Sequence, residues 1–158
     1  MSGIQVALMM GSKNDAPVVD EAVKMLDAFG IGNEVKVLSA HRTPKQTAEY
    51  AEGLAGRGVK VVICAAGGSA ALAGTVAAHT QIPVIGIPLE SMGFNGLDAL
   101  LSTIQMPPGV PVAGVGIGKP GAKNAALIAV RILALSEPGL LKKLEDFSNE
   151  QAEKILKG

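Results

Sequence analysis

The sequence is poor in several residue types that often indicate a function, among them cysteine and the aromatic residues. Its 158 residues include one cysteine, no tryptophan and only 3% aromatic residues. One cysteine cannot form an internal disulfide, which fits a reducing compartment, and we expect a cytoplasmic protein. The chain has 14 basic and 14 acidic residues, so its formal net charge is zero. This balance excludes a broad electrostatic attraction to nucleic acid or to an anionic membrane, and any anion must be bound by local groups.

Metal ligands and reactive nucleophiles are also scarce. The histidines are His41 and His79, no cysteine accompanies either of them, and no carboxylate cluster has the spacing of metal ligands. We therefore expect no metal. Cys64 lies in an apolar run, which predicts a packed core side chain rather than a reactive thiol. No serine, histidine and acid are arranged as covalent catalysis requires, so a nucleophilic enzyme is not supported.

Residues 61–89 contain no charged side chain, yet they do not resemble a membrane-spanning helix. Gly67, Gly68, Gly74 and Pro83 interrupt the run, and leucine and phenylalanine are scarce in it. We interpret the run as a buried strand, a helix of small residues and a second buried strand. No membrane partner is expected.

Apolar runs alternate with helical stripes along the chain, which predicts one α/β domain over residues 1–158 with its core at 4–135. Such alternation indicates a parallel sheet with right-handed crossovers. The predicted strands cover residues 4–10, 34–38, 59–65, 83–87 and 110–117. An amphipathic segment, 139–157, predicts an extra helix that docks on its own sheet layer or on a neighbouring subunit. Its predicted stripe is Leu140, Leu144, Phe147, Gln151 and Ile155.

Polar or glycine-rich loops follow the first three predicted strands, at residues 11–15, 39–44 and 67–68. The carboxyl ends of neighbouring parallel strands meet at one edge of the sheet, so these loops are expected to converge on one crevice. The middle loop places His41 beside Arg42. We take His41 as the chemical centre of the predicted site.

The side chains of these loops favour a small phosphorylated ribonucleotide. An imidazole exchanges protons near neutral pH, and the planar guanidinium of Arg42 suits phosphate. Ser12 and the loop N–H groups at a helix N-terminus form a second anion cradle, and Asp15 can accept from ribose hydroxyls. Taken singly, Asp15 as a helix cap and Arg42 as a surface ion-pair partner are equally good interpretations. The convergence of three loops favours a site.

Residues 116–121 match the dinucleotide-binding pattern G-x-G-x-x-G, after a strand and before a helix. The match is weak because it follows the last strand, with no further strand to bring an acidic residue to a ribose. Pro120 would also remove an N–H group that could face a phosphate. We interpret the motif as a turn that allows close backbone approach, not as a cofactor site.

The order and spacing of several motifs resemble the PurE family of purine biosynthesis over roughly residues 4–135. No single short pattern carries this resemblance. The motifs are Gly11-Ser12-Lys13-Asn14-Asp15, Ser39-Ala40-His41-Arg42-Thr43-Pro44, Gly67-Gly68, residues 96–102, Gln105-Met106-Pro107, and Gly118-Lys119 with residues 124–127.

The resemblance implies an N5-carboxyaminoimidazole ribonucleotide mutase, which moves a carboxylate from an exocyclic nitrogen to ring C4 without metal, ATP or organic cofactor. It also implies a three-layer, flavodoxin-like open sheet of five parallel strands. A homo-octamer with its sites at subunit junctions is part of the same implication.

The resemblance also implies roles for individual residues. His41 is the general acid–base and Arg42 holds the phosphate, while Ser12 and Asp15 bind the substrate. The remaining binding positions are Gly11, Ser39 and the glycine loop Ala66-Gly67-Gly68-Ser69, which faces the migrating carboxylate.

Two departures from the mutase pattern leave a related activity open. Mutases usually read Gly-Gly-Ala-Ala-His-Leu-Pro-Gly, where this chain has Ala71 for the histidine and Ala73 for the proline. These changes resemble aminoimidazole ribonucleotide carboxylases, which use free carbon dioxide. His41-Arg42, residues 109–112 and the Gly118-Lys119 stretch instead resemble the mutases, so the resemblance favours the mutase. A third interpretation is a non-catalytic nucleotide-binding module, which needs no proton-transfer group.

The hydropathy of the chain generates a first prediction. The mean hydropathy is +0.36 in a chain of 16.0 kDa. Large apolar patches are uncommon on monomers, so we expect helix faces to be buried against other subunits. Light scattering at micromolar concentration should give a multiple of the monomer mass. A monomeric mass would contradict the prediction.

Overall fold

Five strands form one parallel sheet in the computed structural model, which describes residues 3–158. The strands are β1 (Val6–Met10), β2 (Asn33–Val37), β3 (Val61–Gly67), β4 (Val84–Leu89) and β5 (Ala113–Gly114). The helices of these residues are α1 (Ala16–Phe29), α2 (Pro44–Gly53), α3 (Leu72–His79), α4 (Leu97–Ile104), α5 (Gly118–Ala134) and α6 (Pro138–Leu156). Short 3₁₀ turns at Lys13–Asp15 and Ala55–Arg57 complete the regular structure of this part of the chain.

The strand order is β2-β1-β3-β4-β5, and all paired strands are parallel. The chain moves from β1 to one side to form β2 and returns to the other side to form β3. This reversal is the topological switch of flavodoxin-like sheets, which bind ligands at the carboxyl ends of the strands beside it. The predicted α/β class and the predicted five parallel strands are confirmed.

The central strands are buried on both faces because helices cover both. Along β1, Val6, Leu8 and Met10 belong to a core with α1 and α5, whereas Ala7 and Met9 belong to a core with α2 and α3. Every residue of β1 is at most 7% exposed. Burying each large aliphatic side chain in this way stabilises the fold by about 1.5–3 kcal/mol. The uninterrupted apolar run thus follows from three-layer packing.

The edge strand β5 is shorter than predicted, and helix α5 begins earlier than the glycine motif at 116–121 suggests. A strand was expected over 110–117, but pairing with β4 is limited to Ala113–Gly114, after which Val115 N donates to the Gly86 carbonyl at 3.1 Å. Helix α5 begins at Gly118, so Pro120 lies in its first turn rather than in a loop. The first helical N–H groups have no partner within the helix, and proline is therefore tolerated there.

Helix α6 docks on the helices of its own chain. Leu140 and Leu144 are buried, and the Phe147 ring lies 5.8 Å from the Phe29 ring between centroids. Beyond Phe147 the stripe is not covered within the single chain, where Gln151 and Ile155 are exposed, so its docking on a neighbouring subunit stays a prediction. A helical repeat places residues on one face, but it does not state how far the layer beneath that face extends.

The uncharged run 61–89 forms β3, α3 and β4, as predicted. Cys64 is buried within β3, as expected. Within residues 3–158, no helix has both the length and the apolar character needed to cross a bilayer.

The glycine pattern at 116–121 allows the close approach that we expected. A methyl group added at Gly121 would overlap the backbone carbonyl of Gly116, so the first turn of α5 packs directly on the preceding turn. Gly118 has φ +72°, in the left-handed region that favours glycine.

This contact predicts that Gly121→Ala destabilises the protein strongly. Backbone must move to admit the methyl group, and we expect a loss of more than about 3 kcal/mol in the free energy of unfolding. Gly139→Ala is the matched control, because Gly139 lies in the first turn of α6 and a methyl group there meets open space. Equal denaturant midpoints for the two variants would contradict this account.

Candidate active site at the carboxyl edge of the sheet

A cleft of about 450 Å³ lies at the carboxyl edge of the sheet, where the loops after β1, β2 and β3 meet. Strand pairing accounts for this convergence. Met10 at the end of β1 lies opposite Val37, the last residue of β2, and opposite Ala65, two residues before the end of β3, so the three strands end within two residues of one level. The predicted site residues that line the cleft are Gly11, Ser12, Asp15, Ser39, His41, Arg42, Ala66, Gly67 and Ser69.

Gly68 is the predicted site residue that the cleft does not include. It is buried with φ +62°, and its carbonyl oxygen lies 3.5 Å from the Ser102 Oγ of α4. Gly68 therefore shapes the turn between the residues before and after it that do line the cleft.

The loop after β1 is held by its own hydrogen bonds. Ser12 Oγ accepts from Asn14 N at 3.2 Å, and Asp15 Oδ2 accepts from Ser12 N at 3.0 Å, which forms a capping box around the 3₁₀ turn. Asp15 occupies the N-cap position of α1, but its side chain makes no capping bond to that helix. Its carboxylate instead stays at the cleft wall.

The loop after β2 is anchored to the loop after β1 through Arg42. Its terminal Nη2 donates to the Gly11 carbonyl at 2.7 Å, and its Nε lies 3.4 Å from Ser39 Oγ. The same Ser39 hydroxyl oxygen accepts from Arg42 N at 3.2 Å. Arg42 is thus fixed at the cleft wall while part of its guanidinium stays available to an anion. His41 is exposed and lines the cleft beside it.

The glycine loop at the end of β3 has no room for a side chain at Gly67, because the loop after β4 fills that space. A methyl group at Gly67 would overlap the Ser91 side chain, and Ser91 follows β4. Gly67 pairs with Leu89 at the end of β4, which brings these two loops together. The floor of the cleft is therefore backbone and small side chains.

Sequence reasoning missed several lining residues, namely Asn14, Ala40, Ala71, Leu72, Ser91 and Met92. Ser91 and Met92 follow β4, whose place beside β3 the chain order alone did not show. A usable signal existed, because the glycine-containing loop after the fourth predicted strand should meet the same edge of a parallel sheet.

Burial raises the pKa of the Asp15 carboxyl above its ordinary value. The Ser12 N–H and the positive charge of Arg42 both lower this pKa, but by less than burial raises it. An acid that holds its proton more tightly in the folded state makes the fold less stable as pH rises between its ordinary and its raised pKa. The partly buried Asp15 carboxylate therefore lowers the stability of the fold, and carboxyl groups with perturbed pKa values often lie in functional sites.

The other titratable candidates lie elsewhere. His79, at the end of α3, places Nδ1 3.0 Å from Glu52 Oε1 of α2 and does not line the cleft. Burial raises the pKa of the Cys64 thiol. Within residues 3–158, no three His, Cys, Asp or Glu side chains converge as metal ligands would.

The cleft therefore combines an exposed imidazole, an anchored guanidinium, a carboxylate and small hydroxyl side chains. These groups can bind a phosphate and sugar hydroxyls and can transfer a proton. The sequence profile of the AIR carboxylase family matches residues 5–154. The chain belongs to this family.

Named relatives are similar in sequence to this chain over nearly its whole length. It is 51% identical over 146 residues to the N5-carboxyaminoimidazole ribonucleotide mutase of Pyrococcus abyssi, covering 92% of this chain and 83% of the relative. It is 51% identical over 152 residues to the mutase of Saccharolobus solfataricus, covering 96% and 95%. The crystal structure of Treponema denticola PurE superposes with a TM-score of 0.86 at 31% identity, covering 97% of this chain and 94% of that one. The expected PurE-family resemblance is confirmed.

The electrostatics of the cleft predict how Asp15 responds to its neighbour. Arg42→Ala should raise the pKa of Asp15 further, because the variant removes a cation that favours the carboxylate. Arg131→Ala, which removes an exposed cation of α5 outside the cleft, should leave this pKa unchanged. Carbon-13 NMR titration of the Asp15 carboxyl measures both. A pKa that is unchanged or lower in Arg42→Ala would contradict the coupling.

Proposed function

We propose that this chain is an N5-carboxyaminoimidazole ribonucleotide mutase of de novo purine biosynthesis. One observation carries the proposal: a single cleft joins His41 and Arg42 to the loop after β1 and to the glycine loop. The chain is 51% identical to proteins named as this mutase, which supports the same assignment.

The proposed binding mode follows from the chemistry of the cleft walls. Arg42, anchored on Gly11 and Ser39, takes the substrate phosphate through its free guanidinium N–H groups. Ser12 contributes a hydroxyl, and Asp15 accepts hydrogen bonds from the ribose. The backbone of the glycine loop, with Ala66 and Ser69, then faces the migrating carboxylate. This arrangement leaves the aminoimidazole ring beside His41.

In the proposed mechanism, His41 donates a proton to the exocyclic nitrogen of the substrate carbamate. The carbon–nitrogen bond breaks, and carbon dioxide and the free amine form. Ring C4 then attacks the carbon dioxide to form a carbon–carbon bond, and the neutral His41 imidazole removes the C4 proton. One proton is given and one is recovered, so the enzyme returns to its starting state. No metal, ATP or organic cofactor takes part in these steps.

This mechanism requires that the carbon dioxide stays near the ring, which favours a closed and dry cleft. In the single chain His41 is exposed, Met92 in the cleft lining is 68% exposed, and Phe94, two residues further along the chain, is 70% exposed. An apolar surface next to an open cleft supports an assembly in which other subunits cover both. We therefore propose that the single domain, residues 1–158, forms a cytoplasmic homo-octamer with sites at subunit junctions, which the mass measurement above tests.

An aminoimidazole ribonucleotide carboxylase is the second candidate. Its support is Ala71, which lines the cleft at the position where mutases of the family usually carry histidine. A coupled assay separates the two activities. A mutase converts the carbamate ribonucleotide, whereas a carboxylase converts aminoimidazole ribonucleotide only with bicarbonate. Binding of either ribonucleotide without turnover would favour a non-catalytic nucleotide-binding module.

The proposed acid–base role predicts that His41→Asn binds substrate but loses turnover. We expect kcat to fall by at least about 100-fold, as is typical when a proton-transfer group is lost. Calorimetry should show substrate affinity within a few fold of the original protein, because Arg42 and Asp15 remain.

The control for this variant is His79→Asn. His79 pairs with Glu52 away from the cleft, so its loss should leave kcat nearly unchanged. Turnover by His41→Asn at the rate of the original protein would exclude the assigned role.

A further inference from the structure

Thr47 is a polar side chain buried directly beneath the His41 loop. It is 0% exposed and lies in the second turn of α2, the helix that begins at Pro44 where this loop ends. Within residues 3–158, the buried polar or charged residues are Thr47 and Thr103. A hydroxyl that is fully removed from water needs a hydrogen-bond partner, so the partners of Thr47 indicate which segment it contacts.

The Thr47 hydroxyl reaches the base of the loop. Its Oγ1 lies 2.8 Å from the Thr43 carbonyl oxygen and 3.3 Å from the Ser39 carbonyl oxygen. These two carbonyls belong to the first and last residues of the segment Ser39–Thr43, which carries His41. One buried hydroxyl therefore touches both ends of the segment.

The same two residues are tied to each other. Thr43 N donates to the Ser39 carbonyl at 2.9 Å, and Ser39 N donates to Thr43 Oγ1 at 2.8 Å. Thr43 Oγ1 also lies 3.1 Å from the Ser39 carbonyl, so this oxygen is approached by three donor groups. Thr43 makes no side-chain cap on α2, because its hydroxyl is used here. The base of the loop is a closed network resting on Thr47.

Thr103 shows what an ordinary buried helical threonine does. Its Oγ1 donates to the Ala99 carbonyl at 2.7 Å, four residues earlier in α4. Thr47 makes the equivalent bond to Thr43 and has a second contact, with Ser39, eight residues earlier. The second contact lies outside the helix and reaches the first residue of the segment Ser39–Thr43.

The position of Arg42 is fixed by its own hydrogen bonds to Ser39 Oγ and to the Gly11 carbonyl, in addition to the network around Thr47. His41, its exposed neighbour, takes its position from the backbone of the loop. We propose that Thr47 is a positioning residue, whose buried hydroxyl fixes the base of the His41 loop and thereby the place of the imidazole in the cleft. The proposal rests on the proposed function of His41.

A small displacement of an acid–base group slows proton transfer more than it weakens binding. Thr47→Val keeps the shape of the side chain and removes the hydroxyl, and the Ser39 carbonyl keeps its two Thr43 donors. We therefore expect a folded protein with kcat lowered about tenfold and KM changed by less than about twofold. Thr47→Ser retains the hydroxyl and should restore most of kcat. Thr103→Val, the matched control, should lower thermal stability to a similar extent and leave kcat unchanged.

Amide hydrogen exchange provides a readout that does not require turnover. In Thr47→Val, the amide hydrogens of Arg42 and Thr43 should exchange with solvent several-fold faster, because both amides donate to Ser39. Thr47→Ser should restore their protection, and Thr103→Val should not affect it. Unchanged exchange, or equal loss of kcat in Thr47→Val and Thr103→Val, would overturn the proposal. If the original protein does not convert the carbamate ribonucleotide, the proposed function fails while the exchange result still decides whether Thr47 holds the loop.

Discussion

The in-register pairing of β1 with both β2 and β3 is the constraint on which the site depends. Met10 pairs with Val37 on one side and with Ala65 on the other, so the three following loops begin within two residues of the same level of the sheet. Helices on both faces keep this register, because a slip of one residue would exchange the side chains of the two cores. Arg42 then closes the gap between the first two loops through its bond to the Gly11 carbonyl.

Small residues give this edge of the sheet its shape. The Ser91 side chain packs against Gly67, and the Gly116 carbonyl packs against Gly121, in positions where any side chain at either glycine would clash. At Gly67 the missing side chain leaves room for Ser91, which also lines the cleft. Within residues 3–158 the buried polar side chains are few, namely Thr47 and Thr103. The scaffold thus positions chemistry that the loops supply.

In the proposed function, binding is assigned to Arg42 and proton transfer to His41, and the two residues are supported differently. Arg42 is fixed by side-chain bonds of its own, whereas His41 relies on the backbone of its loop and on the residues beneath it. The two neighbours in sequence are therefore supported by different contacts. Substitutions behind the loop should alter turnover without a matching change in affinity, and such separation is visible in kcat and KM.

Local patterns along the chain are enough to predict the kinds of elements, the parallel sheet and the loops that carry His41 and Arg42. Apolar periodicity and glycine or proline signals are local, so they are readable along the chain. The tertiary structure alone decided the strand order, the entry of Ser91 and Met92 into the cleft, the place of Gly68 outside it and the limits of the α6 stripe. It also decided the partners of Asp15 and Thr47. These features depend on which distant segments pack together, and no local pattern encodes how far a neighbouring layer extends or where its side chains end.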